Sequence, residues 1–108
     1  MEVLGVGSNK YAVDNLLFNV DRAFYGGTQQ EIYHDILQTP LLDALKGHSG
    51  LVMLCGQKGT GKTYTTCGED RSFDYRGMLP RALQQIFREM RMREHEYDIR
   101  VRYTQRLF

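Results

Sequence analysis

Eight consecutive residues constrain this chain more than any others in it. Gly56-Gln57-Lys58-Gly59-Thr60-Gly61-Lys62-Thr63 fits the spacing G-x-x-x-x-G-K-[ST] in full. Glycines at these places let the backbone curl so that several N–H groups point inward at a phosphate, with no side chain in the way. A helix opening near Gly61 would add the positive end of its dipole. Lys62 is then expected on β- and γ-phosphate oxygens, and the Thr63 hydroxyl on magnesium. A chance match to such a pattern arises in roughly one of a few hundred chains of this length. The competing reading is a glycine-rich turn that binds nothing. The context speaks against it: the apolar run Leu51–Cys55 precedes the motif and a helix-compatible stretch follows to Cys67.

At 108 residues and 42% hydrophobic content, the chain is at most one domain, or a piece of a larger one. A self-contained fold of this size would bury about 65% of its extended surface. The net charge of +1 argues against a nucleic-acid coat. Arg81, Arg88, Arg91, Arg93, Arg100, Arg102 and Arg106 are interleaved with Glu89, Glu94, Glu96 and Asp98, which reads as a solvated face. Cys55 and Cys67 have no disulfide or metal spacing and read as reduced packing residues. His34, His48 and His95 are too scattered to be ligands. No apolar run approaches the ~20 residues that span a bilayer, and the N-terminus lacks signal-peptide features. The expectation is a soluble intracellular protein with no nucleic-acid or membrane partner.

Residues 1–15 carry little pattern and read as irregular. Leu16–Phe24 alternates as a half-buried strand would, and Gly26-Gly27 breaks it. Thr28-Gln29-Gln30-Glu31 is a capping box, with Ile32, Tyr33, Ile36 and Leu37 behind it at helical spacing. Pro40 should interrupt that helix, and a second one from Leu41 should end at Gly47 or Gly50. Leu51–Cys55 suits a strand covered on both faces. Residues Gly68–Gly77 form a polar loop. Pro80 fits the first position of a helix with the apolar stripe Leu83, Ile86, Phe87 and Met90. Tyr97, Ile99, Val101 and Tyr103 alternate as in a strand with one buried face. The order of elements is α/β.

The stretch SGLVMLCGQKGTGKTYTTC, residues 49–67, resembles the kinesin motor signature, in which a strand runs into Gly-Gln-Thr-x-x-Gly-Lys-Thr. Phe18–Phe24 is similar to the kinesin segment Phe-x-Phe-Asp-x-Val-Phe, and Thr28–Leu45 to the helix pair after it, including Tyr33 and Pro40. Arg76–Ala82 resembles Arg-Gly-Ile-Ile-Pro-Arg-Ala, and LPRALQQIF, residues 79–87, looks like the ciliary kinesins of the ninth family. The resemblance keeps order and spacing over residues 16–104.

It implies a P-loop NTPase fold with a mixed, mostly parallel central sheet flanked by helices. Residues 1–15 would be an N-terminal segment and residues 16–108 a partial motor domain. It further implies ATP and Mg2+ as ligands, microtubules as partner, and a cytoskeletal location, with the cilium or flagellum as its narrower form. By the same resemblance Tyr64 corresponds to the kinesin residue that stacks on adenine; a tyrosine packed on the sheet is the alternative. Lys58 departs from the family's threonine, either as an added cation by the phosphates or as a solvent-pointing side chain. The family's Arg-x-Arg-Pro has no match in residues 1–15, and neither switch motif, Asn-x-x-Ser-Ser-Arg-Ser-His or Asp-Leu-Ala-Gly-Ser-Glu, occurs in these 108 residues. The chain alone is therefore expected to be marginally folded, with no catalytic residue of its own and little ATP hydrolysis. Two other readings stay open: a degenerate relative serving a structural or partner-binding role, and an unrelated small nucleotide kinase. The run Ile99–Tyr103 ends without the Asp or Glu that a kinase would need as second metal ligand.

Overall fold

The computed structural model describes residues 4–5, 10–13, 16–93 and 98–106, with side chains from residue 18 onward. Three short strands come first: β1 (Leu4–Gly5), β2 (Lys10–Val13) and β3 (Leu16–Asn19). They form an antiparallel meander in the order β1-β2-β3, with Tyr11 opposite Phe18 and Val13 opposite Leu16. Two expectations change here. Part of the stretch read as irregular is strand, and the strand expected over Leu16–Phe24 stops at Asn19. An antiparallel ladder needs only a short turn, and this pairing carries the stretch despite its weak alternation. Phe18, the first residue of this stretch with a described side chain, is 52% exposed.

The capping box is formed as the sequence predicts. The Thr28 hydroxyl accepts from the Glu31 N–H at 3.2 Å, and the Thr28 N–H donates to the Glu31 carboxylate at 2.8 Å. From this cap α1 (Gln29–Ile32) runs into a π-helical segment (Tyr33–Gln38) and then α2 (Thr39–Leu45). Pro40 therefore changes the helical register instead of breaking the helix. It lies in the first turn of α2, where a missing N–H costs little. Gly47, at φ +97°, closes α2 in a Schellman motif: His48 N–H donates to the Asp43 carbonyl at 3.1 Å and Gly47 N–H to that of Ala44 at 3.0 Å.

Leu51–Cys55 has no strand partner among the described residues. Val52 and Leu54 are half-buried while Leu51 and Met53 are 84% and 75% exposed, so one face is covered and the other open. Among the described residues the expected parallel central sheet is absent: a strand buried on both faces needs neighbours to complete its ladder, and none is supplied here. The same holds for Ile99–Tyr103, which has no regular structure and leaves Val101 and Tyr103 exposed; Tyr97 lies outside the described residues.

After the glycine loop come α3 (Lys62–Thr66), a single 3-10 turn (Phe73–Tyr75) and α4 (Met78–Met92). Pro80 is the third residue of α4, not the first. Its buried face is Met78, Arg81, Ala82 and Gln85, one residue off the stripe read from the sequence; Leu83, Ile86 and Met90 are half-buried and Phe87 is exposed. The small core joins Tyr33, Met78 and Ala82, with Ile32, Leu37, Leu41 and Leu54 against it. No described side chain is fully buried.

Candidate functional site

Local backbone geometry shapes the loop between Leu51–Cys55 and α3. Gly56, Gly59 and Gly61 lie at φ +143°, +83° and +86°, a region that side-chain-bearing residues avoid. At Gly56 the close approach is also steric, since a Cβ would meet the Thr60 hydroxyl oxygen at 2.9 Å. That hydroxyl donates to the Gln57 carbonyl at 2.8 Å and holds the loop curled. Gly61 is the N-cap of α3, and its carbonyl accepts from the Thr65 N–H at 2.9 Å.

The Lys62 ammonium folds back over this turn and donates to the Gly56 carbonyl at 2.7 Å and to the Gln57 carbonyl. Thr63 is exposed beside it. A cavity of about 430 Å³ is lined by Lys58, Gly59, Gly61, Lys62, Thr63 and Tyr64. These are six of the nine residues singled out in the sequence; Gly56, Gln57 and Thr60 form the turn behind them. Tyr64 is 44% exposed and lines the cavity. The cavity is cationic, with two lysines and no carboxylate in its lining, and of a size that small ligands occupy. A curl of three glycines at positive φ, beside a lysine and a threonine hydroxyl, suits a phosphate and a hard cation respectively.

Supports for this loop were not legible from the motif. The Gln29 side chain, almost wholly buried, donates from Nε2 to the Tyr64 carbonyl at 2.7 Å and so ties α3 to the start of α1. Arg81 was read as part of a solvated face, yet it is buried. Its Nε donates to the Arg76 carbonyl at 2.9 Å and one terminal nitrogen to those of Phe73 and Asp74 at 3.0 and 3.2 Å, while the guanidinium lies 4.9 Å from the Phe73 ring centre. Burial is tolerated because three carbonyls replace water. The polar loop is thereby ordered and is pinned at its base by Glu69 N–H to the Tyr75 carbonyl at 2.8 Å and Gly77 N–H to the Cys67 carbonyl at 3.0 Å. Cys55 and Cys67, read as packing residues, are exposed free thiols, with no element laid over either among the described residues. His34 contacts Asp35 at 3.0 Å, and no metal-binding cluster of His, Cys, Asp and Glu occurs among the described residues.

Residues 6–105 match the family Kinesin motor domain. The chain is 38% identical to the kinesin-like protein KIF9 of Mus musculus over 89 residues, which is 82% of this chain and 11% of that protein. It is 36% identical over 99 residues to centromere-associated protein E of Homo sapiens, covering 88% of this chain and 4% of the relative. Among solved structures it resembles the Drosophila kinesin family member Kin10/NOD in complex with divalent manganese and ADP. The TM-score is 0.75 at 28% identity, over 88% of this chain and 35% of that one. The overall arrangement is thus kinesin-motor-like, and the chain spans about a tenth of KIF9 and a third of the NOD structure. The likeness read from LPRALQQIF agrees with the KIF9 similarity. The chain belongs to the kinesin motor family.

Proposed function

We propose that this chain is the nucleotide-binding part of a microtubule motor head, and that its glycine loop wraps the phosphates of ATP. In this reading Gly56, Gln57, Lys58, Gly59, Thr60 and Gly61 supply the cradle, Lys62 reaches the β- and γ-phosphates, Thr63 helps to hold Mg2+, and Tyr64 faces the adenine. The observation that carries it is the joint occurrence of a left-handed glycine turn, Lys62, Thr63 and Tyr64 on one cation-lined cavity in a kinesin-family chain. A related structure, that of NOD, contains ADP and divalent manganese, and NOD has been docked with tubulin into a map of its microtubule complex. Bound magnesium would screen the phosphate charge; the chain's own residues bind and orient the phosphates. A cytoskeletal location goes with this reading, and the ninth-family likeness extends it to the cilium.

Calorimetry with magnesium-ATP tests the assignment. The chain should bind, and Lys62→Ala should weaken binding by about a hundredfold, as expected for a charged phosphate partner. No binding by the parent chain, or equal binding by the variant, would remove the basis of the assignment. Turnover by these 108 residues should stay near background with or without microtubules, because positioning of the attacking water needs groups this sequence does not contain. Robust microtubule-stimulated turnover would contradict that.

A further inference from the structure

The two lysines on the glycine-loop cavity are in different states. Lys62 is already engaged, donating to the Gly56 and Gln57 carbonyls, and keeps one of its three N–H donors for a ligand. Lys58 is exposed, lines the same cavity, and has no hydrogen-bond or ion-pair partner among the described residues. Among the described residues no carboxylate lines the cavity to neutralise either cation. Gly59, immediately after Lys58, turns at φ +83° with open space where a side chain would be.

We propose that Lys58 is a second phosphate-directed cation of this loop, which grades ligands by negative charge and favours triphosphate over diphosphate over monophosphate. The proposal rests on the nucleotide-binding reading above and adds a selectivity residue to it. An unpaired ammonium gives up no protein contact on meeting a phosphate, so its attraction is opposed chiefly by desolvation and side-chain ordering. Its position on an exposed rim makes the attraction strongly dependent on salt, because mobile ions screen exposed charges over about 10 Å at moderate ionic strength. Lys62, tied to carbonyls and directed at the β- and γ-phosphates, serves ATP and ADP alike and so discriminates less between those two.

The test is equilibrium binding of fluorescently labelled ATP, ADP and AMP to the 108-residue chain and to Lys58→Thr, Lys58→Glu and Lys62→Ala, at about 25 mM and about 300 mM salt. Lys58→Thr restores the family's side chain and keeps the turn. It should weaken ATP about fivefold at low salt, ADP less and AMP least, with the differences collapsing at high salt. Lys58→Glu should exaggerate the same order. If Lys58→Thr and Lys58→Glu match the parent for all three ligands while Lys62→Ala loses binding, Lys58 has no such role and the nucleotide-binding reading stands. If the parent binds none of the three, both fall together. Circular dichroism matched to the parent keeps misfolding from imitating either result.

Discussion

The Arg81 guanidinium is buried among backbone carbonyls instead of turned to water, and two residues near it admit no side chain at all. A Cβ on Gly68 would come within 2.1 Å of the Tyr75 carbonyl oxygen, and one on Gly77 within 2.5 Å of that of Thr66. Gly77→Ala should therefore destabilise the chain by about 2–3 kcal/mol, measured by urea denaturation, because the clash is with backbone and cannot be relieved by a rotamer. Arg81→Ala should raise hydrogen exchange across Phe73–Arg76 more than elsewhere; uniform exchange would show that the loop does not need its clamp. At the helix start, hydrogen bonds from the Thr28 backbone and then its hydroxyl hold the Glu31 carboxyl below the ordinary carboxylate range. The sign follows from the lowered value: the cap contributes fully above the ordinary range and fades as pH falls through the lowered one. Helix content should drop in that acid window for the parent and not for Glu31→Gln. Features set by neighbours in sequence were legible at this scale, namely the cap, the Gly47 stop and the glycine spacing. Arg81 was not, because nothing in a run of arginines says which one will find carbonyls.

Between elements, buried polar side chains set the register of the helices. The Tyr33 hydroxyl donates to the Gln85 side-chain carbonyl across the α-helical layer, 52 residues apart in sequence, and burial pushes the Tyr33 phenol above its usual value. Tyr33→Phe leaves that buried acceptor unpaired and should cost about 1–3 kcal/mol; adding Gln85→Leu should recover much of the loss. If the double variant is as unstable as the sum of the singles, the bond is incidental. Such pairs explain what sequence periodicity missed in α4. The apolar stripe was real as a pattern, but the face that met Tyr33 carried Arg81 and Gln85, whose partners lie in other elements. The strand expectations failed for a related reason: a strand is defined by its neighbours, and Leu51–Cys55 and Ile99–Tyr103 have none among the described residues.

Over the whole molecule, the exposed area is 9593 Å², whereas a self-contained protein of this mass exposes about 6,200 Å². Its radius of gyration of 16.5 Å likewise exceeds the roughly 13 Å of a compact domain of this length. The expected burial of about two thirds of the extended surface is thus not reached. Urea unfolding should be shallow, with a slope at or below about 1 kcal/mol per molar, and a steep cooperative transition would contradict this. Set against that loose body, the Gln29 bridge to the Tyr64 carbonyl has a mechanical meaning. A helix of five residues cannot persist by itself, so α3 leans on its packing against α4 and on the Gln29 tie to α1. Any displacement of the Tyr64 backbone therefore bears on Gln29, the residue after the Thr28 cap, and one amide side chain joins the cavity end of the chain to its longest run of helix.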